Sequence, residues 1–159
     1  MDRSDLDRVE ILPVPPGYTI RPFRPADWEP CIDLMLQTPD LSYSAGPWDR
    51  QLCLASLSFC ADERCDYPAG RGQLAFWQGE LVAMAMAGVT GYLNQAYTRG
   101  DHQRRGLASA LITRVLAALH RCGAERCFLM VYDTNLTAMR CYEKLGFAIV
   151  WSDAVEGPD

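Results

Sequence analysis

The sequence predicts one mixed α/β domain, and three observations support this. Its 159 residues suit a single domain with a buried core. Segments that alternate between apolar and polar residues, as strands do, are interleaved with segments whose apolar residues recur at helical spacing. The order of these segments is β-α-α-β-β-β-α-β-α-β, with tight connections early and helical crossovers late.

The chain opens with a leader at residues 1–16, ahead of the domain at residues 17–159. The leader is polar and then rich in proline, so we expect it to fray or to order late. Its charged start lacks the apolar core of a secretory signal. We therefore expect a cytoplasmic protein with reduced thiols and no membrane span or anchor.

The first part of the domain contains one predicted strand and two predicted helices. Tyr18–Arg21 alternates in polarity like a strand. Asp27 is a candidate N-cap for a helix that Pro39 ends. A second helix is expected at about Asp49–Cys60, and the glycines and proline of residues 62–72 predict a loop.

Three strands are predicted to follow. Gln73–Trp77 and Leu81–Thr90 have the pattern of a hairpin joined by a tight turn at Gly79-Glu80. Leu93–Thr98 gives the next strand.

The last part of the domain alternates between helix and strand. Apolar residues fall on one face of a helix that begins near Gly106 and ends at Gly123. Residues 127–131 (CFLMV) form an apolar run typical of a strand covered on both faces. A helix at about Asn135–Leu145 and a strand at Phe147–Trp151 complete the domain.

The composition excludes some classes of function. A formal net charge of −5 argues against a nucleic-acid partner, which a basic face would serve. The seven cysteines are odd in number, form no CxxC pair, and have only two histidines to join them. We therefore expect them to be small core or surface residues, with no metal site.

The connection between the strand that ends near Thr98 and the next helix suits an anion. Helix N-termini carry unpaired N–H groups and partial positive charge. Gly106 and Ala108 are small enough for an anion to approach, and Arg104 and Arg105 add positive charge. On these residues alone, a diphosphate site and an ordinary strand–helix connection are equally compatible. The phosphate motifs GxxxxGK[ST] and GxGxxG are absent.

Two motifs resemble a known family. The run Gln103–Ala108 (QRRGLA) resembles the acetyl-CoA signature Q/R-x-x-G-x-G/A of the GNAT N-acetyltransferase superfamily. Asn135, Tyr142 seven residues later, and Gly146-Phe147 after the helix are similar to that family's later pattern. The resemblance implies the GNAT acyl-CoA N-acyltransferase fold, a central and mostly antiparallel sheet flanked by helices. In that fold the fourth and fifth strands, which precede and follow the first motif's helix, are parallel and splayed apart.

The resemblance also implies acetyl-CoA as the cofactor and assigns residues to it. The backbone N–H groups of residues 103–109, here called the anion loop, would hold the CoA diphosphate. These residues are Gln103, Arg104, Arg105, Gly106, Leu107, Ala108 and Ser109. The strand around Ala96, Tyr97 and Thr98 would carry a bulge, pair with the pantetheine arm and offer an N–H to the thioester carbonyl. Asn135 would contact the same arm.

Tyr142 is the candidate catalytic residue. The resemblance places its hydroxyl at the CoA sulfur, where a phenol with an ordinary pKa near 10 can protonate the leaving thiolate. Without the motif, a tyrosine packed on a helix beside Ala138 and Cys141 would be the preferred explanation.

The general base is not assigned by the sequence. Many members of the family carry Glu or Asp on the strand before the anion loop, where this chain has Asn94 and Gln95. Asp133 is a candidate, although we expect it to cap the last helix, and we expect His102 to be solvated in its loop. Deprotonation of the amine through water stays open.

The resemblance places the acceptor pocket within Trp28–Asp66, with Tyr43, Trp48 and Phe59 as candidate wall residues. The expected acceptor is a primary amine of a small molecule or peptide. Relatives usually have one more strand than this chain, in which only Ser152–Asp159 follow the last predicted strand. Either that strand is missing or a partner subunit covers the edge, as a homodimer would.

The function implied is direct transfer of acetyl from acetyl-CoA to a primary amine. Two other hypotheses remain at this point. The domain could bind CoA without turnover, as a sensor, or it could transfer a longer acyl group.

Overall fold

The structure is a computed structural model that describes residues 1–37, 49–58 and 70–150. Within these ranges the strands are β1 Asp2–Arg3, β2 Tyr18–Pro22, β3 Gly72–Trp77, β4 Glu80–Ala87, β5 Leu93–Thr98 and β6 Cys127–Phe128. The helices are α1 Trp28–Gln37, α2 Arg50–Ser58, α3 Leu107–Arg121 and α4 Leu136–Lys144. The mixed α/β architecture predicted from the sequence is confirmed.

Four of the strands form an antiparallel sheet in the order β2-β3-β4-β5. The β3–β4 hairpin turns at Gln78 and Gly79, whose φ angles of 49° and 82° are both positive, as a two-residue hairpin turn requires. The turn therefore lies one residue before the predicted Gly79-Glu80. β4 ends at Ala87 rather than Thr90, because Gly88 already donates its N–H to the Tyr92 carbonyl.

A parallel contact joins β5 to β6 at one end only. Tyr92 and Phe128 form a parallel bridge, and the Phe128 N–H donates to the Gly91 carbonyl at 2.9 Å. A Cβ on Gly91 would lie 2.2 Å from the Arg126 carbonyl oxygen, so only glycine allows this approach. Among the described residues no further bridge joins the two strands. The splayed pair implied by the resemblance is therefore present.

The segment from Cys127 is more exposed than predicted. Cys127 and Leu129 are buried, but Met130 is 58% exposed, so only one face meets the core. Beyond Phe128, Leu129 still exchanges two backbone hydrogen bonds with Met1, each of 2.9 Å. Residues 147–151 were expected to form a strand, yet Ala148 makes only a bridge to Asp2, and residue 151 lies outside the described residues.

The expectation that residues 1–16 fray is wrong for much of their length. Met1 and Leu6 are buried, and β1 pairs antiparallel with β6. Farther along, Thr113 and Arg114 of α3 hold the backbone of Leu12, through bonds of 3.2 and 2.7 Å. The leader is therefore a strap along α3. Its few apolar side chains, buried against the helix, offset the cost of ordering it.

The helices cover the two faces of the sheet. α3 packs its apolar face, from Leu107 to Leu119, on one side, as its periodicity predicts. α1 and α2 cover the other side through residues such as Ile32 and Leu57. No helix in the described ranges has the length and hydropathy to cross a membrane.

Asp27 does not cap α1 as expected. It ends a short 3-10 turn, Pro25–Asp27, and its carboxylate accepts the Arg24 N–H at 2.7 Å. Both carboxylate oxygens also accept from Arg21 at 2.7 Å. Hydrogen bonding from Arg21 is the main reason that the pKa of the Asp27 carboxyl lies below its ordinary value.

Candidate active site

The start of α3 is open to an anion. Gly106 is the N-cap, with φ at 82°, and no described side chain caps this end of the helix. The first backbone bond of the helix runs from the Ala110 N–H to the Gly106 carbonyl, at 3.1 Å. A Cβ on Gly106 would approach only Pro15, at 3.9 Å. The N–H groups at the start of the helix are therefore left for solvent or for a ligand.

The anion loop is fixed at both ends. Gln103 donates its side-chain amide to the Thr98 carbonyl at the end of β5, over 3.2 Å. Leu107 is 1% exposed and anchors the first turn of α3 in the core. Between them, Arg104 and Arg105 are exposed, and Arg104 has a left-handed φ of 61°. Backbone strain of this kind concentrates at binding sites.

His102 is buried, which contradicts the expectation of a solvated side chain. Only 5% of it is exposed, and its ring lies against the rings of Tyr18 and Trp77. Its Nδ1 atom lies 2.6 Å from the Tyr18 hydroxyl. A single sequence carries no signal for this pair, because the two residues are 84 positions apart.

The α4 helix packs against the anion loop at Cys141, the residue before Tyr142. The Ser109 hydroxyl and the Cys141 thiol lie 3.6 Å apart, which brings the first turn of α3 against α4. The Tyr142 ring packs on Phe147, with ring centroids 5.8 Å apart. None of the hydrogen bonds found within the described residues involves the Tyr142 hydroxyl.

Burial is the main reason that the pKa of the Tyr142 phenol rises to about 12, with the neighbouring thiols of Cys141 and Cys127 adding to it. The phenol therefore stays protonated at neutral pH. A protonated phenol with an unoccupied hydroxyl can donate a proton to a ligand.

Asn135, rather than Asp133, caps α4. The Asn135 Oδ1 atom accepts the Ala138 N–H at 3.3 Å, and Asp133 is exposed. An asparagine at this position satisfies an unpaired helix N–H and sets where the helix begins. Its side-chain NH₂ group can still donate to a ligand.

The bulge in β5 lies earlier than expected. Met86 pairs with Gln95 and Ala87 pairs with Leu93, so Asn94 is the extra residue. Ala96, Tyr97 and Thr98, where the bulge was expected, pair regularly with Ala85, Met84 and Ala83. The bulge follows the Gly91 turn, where the strand leaves its contact with β6.

The two amides at the bulge hold α2. Gln95 is fully buried, and its Nε2 atom donates to the Ser56 hydroxyl at 2.5 Å. Its Oε1 atom is buried without a hydrogen-bond partner among the described residues. The Asn94 amide donates to the Ser56 carbonyl at 2.9 Å. Neither amide can take a proton from an amine.

Other predicted site residues lie outside the described residues. They are the candidate wall residues Tyr43, Trp48 and Phe59. Among the described cysteines, Cys31, Cys122, Cys127 and Cys141 are free thiols. In the same ranges, no group of three or more His, Cys, Asp or Glu residues is placed to hold a metal ion.

Comparison with known proteins gives a consistent result. Residues 33–147 match the Acetyltransferase (GNAT) family. An acetyltransferase of Pectobacterium atrosepticum is 37% identical over 75 residues, which are 45% of this chain and 53% of that protein. The chain thus spans about half the length of the curated relatives it matches.

Solved structures share the fold at low identity. A GCN5-related N-acetyltransferase from Sphaerobacter thermophilus gives a TM-score of 0.72 at 20% identity, covering 91% of this chain and 45% of its own. The PaiA N-acetyltransferase of Thermoplasma acidophilum, solved with coenzyme A, gives a TM-score of 0.66 at 17% identity, covering 86% and 93%.

Proposed function

Because the chain belongs to the Acetyltransferase (GNAT) family, we propose that it is an acetyl-CoA-dependent N-acetyltransferase acting on a primary amine of a small molecule or peptide. One observation carries the proposal. The N-terminus of α3 is uncapped within the described residues and opens through a left-handed glycine, as a site for a diphosphate requires.

The residues of the anion loop suit the CoA diphosphate. The N–H groups of residues 103–109 would bind its oxygens, and the guanidinium groups of Arg104 and Arg105 would balance its charge. A glycine at the N-cap leaves room for the diphosphate against the main chain. No described carboxylate forms an ion pair with either arginine.

The splay of β5 from β6 suits the pantetheine arm. The two strands touch at the Tyr92–Phe128 bridge and then separate, so that the later part of β5 has no described strand on that side. The main chain at Ala96, Tyr97 and Thr98 would pair with the arm there, as a neighbouring strand would. The amide of Asn135 would reach the same arm from the start of α4.

Tyr142 would provide the proton for the leaving sulfur. Bound acetyl-CoA supplies an acetyl thioester, whose carbonyl carbon the amine attacks as the C–S bond breaks. Tyr142 would donate its hydroxyl proton to that sulfur, and the extra proton on the amine would leave through water. Because burial raises the pKa of Tyr142 to about 12, the proton is in place across the physiological range.

Direct attack by the amine is favoured over an intermediate bound to Cys127. Burial raises the pKa of the Cys127 thiol to about 12, so that this neighbour of Tyr142 is a poor nucleophile at neutral pH.

A second function, CoA sensing without turnover, is favoured by one observation. Amides occupy the bulge of β5, at Asn94 and Gln95, and no carboxylate there can accept the amine's proton. In an acetyltransferase with this bulge, the amine has to lose its proton by another route, such as water.

An amine panel tests both functions. The protein is incubated with acetyl-CoA and with α-amino acids, N-terminal peptides, polyamines and aminoglycosides, and the release of free CoA thiol is measured. Release with at least one class of amine, together with its acetylated product by mass spectrometry, supports the enzyme. Binding of CoA by calorimetry without release from any amine would favour the sensor. Parallel assays with succinyl-CoA test the length of the acyl group.

A further inference from the structure

The two arginines of the anion loop are held differently. Arg105 donates from Nη1 to the Tyr18 hydroxyl at 3.1 Å, and the two residues are 87 positions apart in the sequence. None of the hydrogen bonds or ion pairs of the described residues involves the Arg104 side chain. Only Arg105 is therefore tied to the sheet.

The hydrogen bonds of His102 determine whether the Tyr18 oxygen acts as a donor or as an acceptor. Arg99 lies 3.2 Å from the His102 Nε2 atom, and a guanidinium can only donate. The Asp101 carboxylate lies farther from the same atom, at 3.6 Å, so the shorter contact with Arg99 assigns the lone pair to Nε2 and the hydrogen to Nδ1. Nδ1 donates to the Tyr18 oxygen at 2.6 Å. The Tyr18 oxygen thus accepts two hydrogen bonds, one from His102 and one from Arg105.

Aromatic packing fixes this oxygen in place. Tyr18 is 8% exposed on β2, and its ring lies 4.8 Å from that of Trp77 on β3. The Trp77 and His102 rings are 5.8 Å apart. The partner of Arg105 is therefore a buried group of the sheet, and the loop does not have to hold the guanidinium by itself.

The charge of Arg105 is left for an anion. The nearby carboxylates of Asp101 and Glu80 pair with Arg99, at 2.7 and 3.4 Å. Tyr18 is a neutral partner, so it orients the Arg105 guanidinium without neutralising it. Arg105 directly precedes Gly106, the residue at which the uncapped start of α3 begins.

We propose that Tyr18 and His102 are positioning residues that hold the Arg105 guanidinium of the anion loop in place to bind a phosphate of CoA. This inference rests on the proposed function, because CoA supplies the phosphate. The oxygens recognised belong either to the diphosphate or to the ribose 3′-phosphate of CoA, which share the chemistry of a guanidinium ligand.

A double-mutant cycle tests the positioning role. CoA dissociation constants are measured by calorimetry for the wild type, Arg105→Met, Tyr18→Phe and the double variant. We expect about a 10-fold loss of affinity for Arg105→Met, because it removes a hydrogen bond from a charged group to the phosphate. For Tyr18→Phe we expect about a 5-fold loss, because it removes the hydrogen bond that orients that group. The double variant should be no weaker than Arg105→Met, because Tyr18 acts only through that guanidinium.

Two results would overturn the proposal. One is wild-type affinity in Arg105→Met. The other is a loss of CoA affinity from Tyr18→Phe that is as large in the Arg105→Met background as in the wild type. A tyrosine that only supports the fold would give that result. Arg8→Met removes an exposed positive charge outside the anion loop and is the control, and we expect no more than about a 2-fold loss from it, as for a screened surface charge.

His102 variants and dephospho-CoA complete the test. Asn can offer a donor near the position of Nδ1, so His102→Asn should keep more affinity for CoA than His102→Ala does; equal losses would contradict the assigned bond. If Arg105 binds the diphosphate, Arg105→Met loses the same factor with 3′-dephospho-CoA. If it binds the 3′-phosphate, that factor disappears. A wild type that binds no CoA would instead refute the proposed function.

Discussion

The two faces of the sheet are held by different kinds of contact. On the α3 face, the helix packs a continuous apolar core on the sheet and bonds the main chain of the strap, and no described side chain caps the N–H groups at its start. On the α1–α2 face, polar side chains of the sheet itself bond the helix that covers them. Asn94 and Gln95 of β5 hold Ser56 of α2, and one buried amide oxygen stays unpaired among the described residues.

This difference suggests how the work of the site is divided. A cofactor of constant structure suits a rigid main-chain site, which α3 and its core supply. An acceptor is recognised by side chains, which can change without loss of the fold. We therefore expect substitutions on the α3 face to affect CoA binding or turnover strongly, and substitutions on the α1–α2 face to change the pH dependence or stability.

The largest effect is expected at Gly106. Gly106→Val should weaken CoA binding by about 100-fold or more, about 2.7 kcal/mol, because a branched side chain would fill the approach to the helix N-terminus. The left-handed φ adds about 1–2 kcal/mol of instability. Gly123→Val is the matched control at the other end of α3, with φ at 83° and no atom within 4 Å of its Cβ. Calorimetry should show normal CoA affinity in the control; equal losses in both variants would make strain the cause.

Tyr142→Phe comes next, and it separates catalysis from binding on the same face. We expect kcat to fall by about 100-fold with a nearly unchanged CoA dissociation constant, because only the proton donor is removed. In the wild type the phenol must be protonated, and its pKa is raised to about 12, so no alkaline loss of kcat from this group is expected between pH 8 and 10. Steady-state kinetics across pH would check both points. A fall in kcat of less than threefold would remove Tyr142 from the mechanism.

Local and distant contacts differ in how well the sequence predicts them. The β3–β4 hairpin, α3 and α4 were predicted from periodicity and turn residues that lie within each segment. The strap, the burial of His102 and the pairing of Gln95 with Ser56 depend on residues far apart in the chain, for which a single sequence carries no signal. The bulge at Asn94 was misplaced by two residues for the same reason, since the position of the β5–β6 contact decides where the strand bends.

The motif residues show the same limit. QRRGLA correctly predicted a glycine at the start of a helix, because helix starts have local chemistry. It could not distinguish Arg104 from Arg105, since the difference is made by Tyr18 on another strand. Asn135 was assigned to the cofactor, but its cap on α4 was expected of Asp133, two residues earlier.

A moderate effect is expected from a carboxylate on the other face. Gln95→Glu places an acid where relatives often carry one, and burial should raise its pKa toward the range of a useful base. We expect kcat/KM with an alkylamine to rise by about 10-fold near pH 8, with some loss of thermal stability. Asn94→Asp adds the same charge one residue away and should give no such gain. A pH–rate profile of Gln95→Glu that matches the wild type would show that the amine's proton leaves elsewhere.

The smallest effect is expected in stability alone, at the start of α1. Hydrogen bonding from Arg21 lowers the pKa of Asp27, so the stabilisation from this pair is complete above the carboxyl's ordinary pKa, near 4, and is lost as the pH falls through the lowered value. Asp27→Asn should therefore lower the melting temperature by a few degrees at pH 7, with the difference shrinking towards pH 2.

Glu29→Gln is the control for this prediction. It breaks a pair with Arg50 between exposed side chains, which water and salt screen, so the melting temperature should hardly change. A constant difference between Asp27→Asn and the wild type from pH 7 to pH 2 would mean that the ionised pair is not what stabilises α1.

The contact at one end of β5 and β6, at Tyr92 and Phe128, has a geometric consequence for the space between the two strands. The two strands diverge from the place where the Gly91 main chain lies against the Arg126 carbonyl, so the spacing there sets how far apart the strands are. A small change in the spacing at this contact becomes a larger change at the far ends of β5 and β6. Even alanine at position 91 would push β5 and β6 apart and widen the space between them farther along. Residue 91 would have this effect without contacting a bound molecule.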